Sequence, residues 1–254
     1  MSELIQTIPH GRIHELRLAR PPVNAINPDL CAALRGAIDA ALEAGAEGLV
    51  LSGGPKVFSA GLDVPLLLSI QDDGQALHDA WNGFFDVART LAACPVPVAA
   101  AIAGHAPAGG CVLALCCDWR VMAEGPFTIG LNETQVGIAL PAGIMRLMQR
   151  TVGQRQAEAM LVAGAMVDSA QALRIGLVDE LAGIDDVVTR ALVRIDMLLD
   201  LPRAPMLATR ALLRTDLNEA VSPTNIQLGR YLESWRSPDT QQALRAMVAR
   251  IGKG

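Results

Sequence analysis

Apolar and polar residues along this chain follow two periods, and each period predicts an element. Leu16 and Leu18 alternate with Glu15 and Arg17 within residues 11–18, the period of a half-buried strand, which Pro21 and Pro22 end. Asn27-Pro28-Asp29 then opens a stretch in which Leu30, Leu34, Ile38, Ala41 and Leu42 recur at helical spacing, with Gly45 as its stop. Leu49-Val50-Leu51 is too short and too apolar for anything but a buried strand, and it leads into Ser52-Gly53-Gly54-Pro55. The same order returns later: residues 96–102 predict a second buried strand, residues 104–110 a loop and residues 111–117 a short apolar helix. Strand, glycine loop and helix in succession are an α/β pattern, in which sites gather at the carboxyl ends of strands.

Beyond Pro141 the pattern turns helical. Val188, Leu192, Ile195 and Leu199 mark one stripe, residues 206–217 and 226–235 two more, and Leu244, Met247, Val248 and Ile251 a last one that Ser237-Pro238 opens. Such helices must bury their stripes on the βα core or on a neighbouring subunit, so self-association is an expectation.

Length and charge narrow the class. A chain of 254 residues can bury a full core as one domain, or as one domain with a helical appendage. The longest apolar runs, near residues 96–103 and 138–144, hold prolines and glycines and fall short of the roughly 20 residues a membrane span needs. Residues 1–9 carry neither an export nor an organelle signal, so a cytoplasmic, bacterial location is the default expectation. Net charge is −5, and all but two of the 21 basic residues are arginines scattered along the chain, which disfavours nucleic acid as a partner. The five cysteines sit in apolar stretches without metal-ligand spacing and read as reduced core thiols, so neither zinc nor disulfides are expected.

Chemistry enters with Glu133, set in the otherwise uncharged run Ile129-Gly-Leu-Asn-Glu-Thr-Gln-Val-Gly-Ile138. Leu131, Val136, Ile138 and Leu140 could desolvate its carboxylate and lift its pKa toward about 6 to 7, where a general base works best. Two glycine-bearing turns offer backbone donors: Phe58-Ser-Ala-Gly-Leu-Asp63, which follows a buried strand, and Ala108-Gly109-Gly110, which stands directly before a helix. Two such donors could cradle one oxygen and stabilise an enolate or a tetrahedral oxyanion, each worth about 3 to 4 kcal/mol. Read alone, both segments are more readily plain tight turns, and a lone glutamate in such a run is most often exposed on one face or paired with arginine.

Taken together these segments resemble the crotonase (enoyl-CoA hydratase/isomerase) family. The similarity runs from Arg20-Pro-Pro-Val-Asn-Ala-Ile-Asn27 through Phe58–Asp63, Val98-Ala-Ala-Ala-Ile-Ala-Gly104, Ala108-Gly-Gly-Cys111 and Cys117-Asp118 to Gly176-Leu-Val-Asp179. Within the family, Pro107–Cys111 joined to the ten-residue run around Glu133 is most similar to the mitochondrial-type Δ3-Δ2-enoyl-CoA isomerases. The resemblance implies an α/β crotonase fold of repeated ββα units over residues 1–200, with a C-terminal helical region over residues 201–254 that the family uses in trimers, sometimes paired as hexamers. It implies an acyl-CoA thioester substrate, with coenzyme A as part of that substrate and no metal or redox cofactor. It places the amides of Leu62 and Gly109 in an oxyanion hole, Ser59, Ala60, Gly61, Leu62 and Asp63 along the acyl-CoA site, Asn132 beside the substrate and Glu133 as the catalytic acid/base. One departure is informative: family hydratases carry a second glutamate in the Gly-Gly-Cys-Glu segment, and here that position is Val112.

The expected reaction is therefore the shift of a 3-cis- or 3-trans-enoyl thioester to its 2-trans isomer, within β-oxidation. A hydratase or another crotonase reaction, and a non-catalytic acyl-CoA-binding protein, are the alternatives. Asp63 is expected to stabilise its turn by hydrogen bonding, and His105 to shape the second glycine turn. Trp81, Phe84, Phe85 and Ala88 share helical spacing, as ordinary core or as walls of an acyl tunnel. Lys56 reads as a solvated turn lysine or as a contact for CoA phosphates.

Overall fold

The computed structural model describes residues 3–251. Strands β1 (Ile5–His10) and β2 (Ile13–Leu18) pair antiparallel about a turn at Gly11. After β2 the chain makes one bridge at Ile26 and enters α1 (Pro28–Glu43). Its N-cap Asn27 accepts a hydrogen bond from the Leu30 amide at 2.9 Å, and Pro28 occupies the first helical turn, where its missing N–H costs nothing.

That order of strand, short bridging segment and helix then repeats. β3 (Gly48–Ser52) is followed by bridges at Val57 and Leu62, then by α2 (Val64–Ser69) and α3 (Gly74–Ala93). β4 (Val98–Ile102) is followed by β5 (Ala106–Pro107) and α4 (Gly109–Leu115). β6 (Trp119–Ala123) is followed by β7 (Thr128–Gly130), a 3-10 turn at Glu133–Val136, and helices α5 (Ala142–Val152) and α6 (Gln154–Ala163). β8 (Val167–Asp168), α7 (Ser169–Arg174) and β9 (Glu180–Ala182) complete the core.

The long strands build a six-stranded sheet in the order β1-β2-β3-β4-β6-β9, parallel from β2 onward. The short ones build a second sheet, β5-β7-β8, and two isolated bridges, Ile26–Leu62 and Val57–His105, pair the segments outside these strands. Both faces of the large sheet are covered, which is why its central strands are apolar throughout rather than alternating. Leu49, Leu51, Ala100, Ile102 and Met122 belong to the main core with α1 and α3. Val50, Ala99, Ala101, Val121 and Ala123 face the other way, against Val187, Ala191 and Ile195 of α8 (Val187–Leu199).

Five further helices follow: α9 (Arg203–Leu213), α10 (Thr215–Ala220), α11 (Pro223–Ile226), α12 (Leu228–Trp235) and α13 (Pro238–Ile251). The single helix expected over residues 206–217 is broken at Arg214. There the guanidinium turns inward to the carbonyls of Leu91, Ala92 and Cys116 and to Asp118, which also holds Arg210. The stripe expected from residue 226 is interrupted by Gln227, whose φ of 49° ends α11 before α12 begins. β1, β6 and the short strands β5, β7, β8 and β9 were not foreseen: β1 is exposed at most positions, β6 carries Arg120 within its apolar run, and the others have only two or three residues. Gly109 and Gly110 form the first turn of α4 rather than the loop before it. Among the described residues no helix is long and apolar enough to cross a membrane.

Candidate active site

The two glycine turns meet. Leu62 sits in a bridge where Ile26 donates to the Gly61 carbonyl and Asp63 donates to the Ile26 carbonyl, at 2.8 and 2.9 Å, and the Leu62 amide between them has no acceptor among the described residues. Gly109 opens α4, and its amide is one of the first-turn donors that no helical carbonyl can reach. Each turn is fixed from behind. Ser59 is fully buried; its hydroxyl donates to the Asn24 carbonyl at 2.8 Å and accepts from the Gly61 amide at 3.2 Å. Ala108 holds a positive φ of 48°, a conformation worth about 1–3 kcal/mol of strain, and its amide donates to the Gly130 carbonyl at 2.9 Å.

Gly130 in turn leads into the segment that carries Glu133. The 3-10 turn beginning there is anchored on both sides. The Thr134 hydroxyl donates to the Leu161 carbonyl at 2.8 Å, and the Thr240 hydroxyl, from α13, donates to the Gly137 carbonyl at 2.6 Å. Glu133 is 9% exposed, and its Oε2 is buried with no hydrogen-bond partner among the described residues. Burial lifts its pKa to about 7, with its own backbone amide as the one group opposing the rise. That is the value a general base needs near neutral pH.

Glu133 opens onto a cavity of about 280 Å³. Ala60, Leu62 and Asp63 line it from the first turn, Pro107 and Ala108 from the second, and Asn132 from beside the glutamate. Ser59 and Gly61 lie behind this lining and shape it. Val112 also lines the cavity, as an apolar group 2% exposed. Asp63 is committed elsewhere: it caps α2 by accepting from the Leu66 amide at 3.1 Å and pairs with Arg20 at 2.7 Å. His105 accepts from the Thr128 amide through Nδ1 at 3.1 Å, which ties the β5 segment to β7. Lys56 is exposed and does not line the cavity.

Trp81, Phe84 and Phe85 serve as both core and cavity wall. Tyr231, Trp235 and Met247 complete that wall from α12 and α13. Their helical spacing was visible in the sequence, but nothing local to them says that their stripes close over Glu133.

The sequence pattern of the enoyl-CoA hydratase/isomerase family matches residues 10–244. The chain belongs to the enoyl-CoA hydratase/isomerase family. It is 34% identical over 192 residues to mouse mitochondrial enoyl-CoA delta isomerase 1, a stretch that covers 74% of this chain and 65% of the mouse protein. It is 32% identical over 200 residues to a probable enoyl-CoA hydratase of Mycobacterium avium (strain 104), covering 77% of this chain and 76% of that protein. The solved structure of human mitochondrial delta3-delta2-enoyl-CoA isomerase superposes with a TM-score of 0.90 at 26% identity and covers 98% of both chains. The repeated ββα architecture is thus the crotonase fold, with its helical C-terminal region packed against it. Its relatives include both isomerases and hydratases of enoyl-CoA, so membership alone leaves the choice of reaction to the residues in the cavity.

Proposed function

We propose that the chain is a Δ3-Δ2-enoyl-CoA isomerase. One observation carries this reading: among the described residues Glu133 is the one buried, unpartnered carboxylate lining the cavity, and the lining beside it includes the apolar Val112, at the position where the family resemblance puts a hydratase's second glutamate. Activating water for addition across a double bond calls for two acid/base groups. Moving the double bond calls for one, since the same carboxylate removes a proton from C2 of a 3-enoyl thioester and returns it to C4 of the dienolate. The Leu62 and Gly109 amides would hold the thioester oxygen as negative charge grows on it, each contributing about 3 to 4 kcal/mol to the transition state. The product is the 2-trans-enoyl thioester, with no net change in oxidation state and hence no call for a redox cofactor.

Glu133 is well suited to both halves of this cycle. With a pKa of about 7, it is present as base and as acid in similar amounts at neutral pH. The exposed leucines of α9 support assembly with further copies of the chain, in the trimer or hexamer that the family resemblance implies.

The test is the conversion of 3-hexenoyl-CoA to conjugated 2-hexenoyl-CoA by the pure protein, beside hydration of crotonyl-CoA. Glu133→Gln should abolish isomerisation while leaving acyl-CoA binding largely intact. Retained turnover in that variant, or crotonyl-CoA hydration faster than isomerisation in the parent, would overturn the assignment.

A further inference from the structure

The chain has only eight Phe, Tyr and Trp residues, and five of them line the one cavity onto which Glu133 opens. They come from two helices far apart in sequence: Trp81, Phe84 and Phe85 from α3, and Tyr231 and Trp235 from α12. Trp81 joins the two sets. Its ring stands edge-on to Tyr231 at 4.7 Å and to Trp235 at 5.2 Å between centroids, and stacks on Phe85 at 6.0 Å. Edge-to-face and offset-stacked pairs attract one another beyond the area they bury. Each ring is packed against the others, so a ligand that moves one must disturb the set.

The cavity has an open and a closed side. Ala60, at the first glycine turn, and Pro65, at the start of α2, are its exposed lining residues. All five aromatic residues are less than 10% exposed. A thioester would therefore enter beside Ala60 and Leu62, with its acyl chain directed at the rings. Within about 280 Å³, at roughly 30 Å³ for each small group, there is room for about nine non-hydrogen groups. The thioester carbonyl takes two of these places.

We infer that the Trp81–Tyr231–Trp235 cluster is the end wall of the acyl site, and that it restricts the chain's substrates to short and medium acyl thioesters of up to about eight carbons. This rests on the acyl-thioester reading of the site. A longer chain would have to displace rings that are packed on one another and on the core behind them, and close-packed interiors resist such overpacking.

The experiment compares kcat/KM for 3-hexenoyl-, 3-octenoyl- and 3-dodecenoyl-CoA, and in parallel the binding of saturated hexanoyl-, octanoyl- and dodecanoyl-CoA by calorimetry. The dodecenoyl thioester should be used at least about 100-fold less well than the octenoyl thioester, and the saturated series should show the same break. Trp235→Leu should raise the dodecenoyl-to-hexenoyl ratio by about tenfold or more, and Tyr231→Leu gives a second test of the same ratio should the first variant not fold. Equal use of all three lengths, or a ratio that neither variant moves, would overturn the inference while leaving the isomerase reading in place. A break in binding without any isomerisation would uphold the end wall and sink the isomerase reading. Failure to bind any of the thioesters would remove both.

Discussion

Gly61 faces the amide of Gly109 so closely that a methyl group built on Gly61 would stand 3.2 Å from that nitrogen. The same methyl would lie 3.0 Å from the Ala108 side chain and 3.3 Å from the Pro107 carbonyl, and Gly61 has a φ of 84°, where a side chain is disfavoured in any case. The two donor turns are thus kept together by the absence of one side chain.

Gly61→Ala is expected to lose activity by more than it loses stability. The positive φ costs about 1–2 kcal/mol once a Cβ is present. Blocking or displacing one oxyanion donor costs about 100- to 1,000-fold in kcat. Steady-state rates on 3-hexenoyl-CoA together with urea melts of the same variant check the pair of values. A rate unchanged in a folded variant would show that the Gly109 amide does not touch the thioester oxygen.

The raised pKa of Glu133 has a kinetic and a thermodynamic consequence, with opposite signs. As the base, Glu133 must be ionised, so kcat/KM should fall about tenfold per pH unit below about 7. For stability, the folded chain holds this proton more tightly than the unfolded chain, whose glutamate titrates near 4.5. The corresponding contribution is whole below about pH 4.5 and is lost as pH rises through about 7, amounting to about 3 kcal/mol. Glu133→Gln, which cannot ionise, should therefore melt several degrees above the parent at pH 8 to 9 and close to it at pH 4.5. Melting curves across that range decide the matter, and parallel curves would mean that Glu133 is not buried in the free protein.

Asp118 concentrates a different kind of energy. Its carboxylate accepts from Arg210, from Arg214 and from the Val98 amide, joining α9 and the turn after it to the first residue of β4. Arg214 is buried, and without Asp118 it keeps only carbonyl partners for a full positive charge. Asp118→Asn should cost about 3–5 kcal/mol, seen as a lower urea midpoint at unchanged slope. A loss below about 1 kcal/mol would show that solvent reaches the pair freely.

Helix α9 has no fully buried residue, and Leu212 and Leu213 at its end are 78% and 67% exposed. An amphipathic helix left so open in one chain is expected to be covered by another copy. Leu212→Glu combined with Leu213→Glu should shift the sedimentation mass from an oligomer to the monomer. A parent that sediments as a monomer would contradict this.

Strands β2, β3 and β4 and the family were legible in the sequence; β1, β6 and β9 and the closure of the cavity were not. Leu49–Leu51 and Val98–Ile102 announce themselves because a strand buried on both faces is apolar at every position. Glu133 stood out because a charge in an apolar run is costly unless something uses it. Tyr231 and Trp235 gave no such signal: helical spacing says that a stripe is buried, never against what, and their partner Trp81 lies in a helix far away in sequence. The break at Arg214 was equally hidden, since the reason for it is an aspartate on the far side of the core. Local patterns fix local elements, and the parts of this site that were missed all depend on contacts between distant helices.

Val112 offers the sharpest test of the choice between reactions. It is 2% exposed and lines the cavity with Glu133, and by the family resemblance its position is the one a hydratase fills with a second glutamate. In Val112→Glu two carboxylates would share one apolar cavity, and like charges there cannot both ionise freely. The proton affinity of Glu133 should rise; a rise of about one pKa unit would leave roughly a fifth as much ionised base at pH 7 and slow isomerisation in proportion. At the same time the pair regains what water addition lacks, a second group to hold and orient the attacking water. Hydration of crotonyl-CoA should therefore appear in Val112→Glu, measured as 3-hydroxybutyryl-CoA by chromatography, where the parent gives little or none. A parent that already hydrates crotonyl-CoA at the rate of Val112→Glu would mean that the missing carboxylate is supplied by another segment, and the distinction drawn from Val112 would fall.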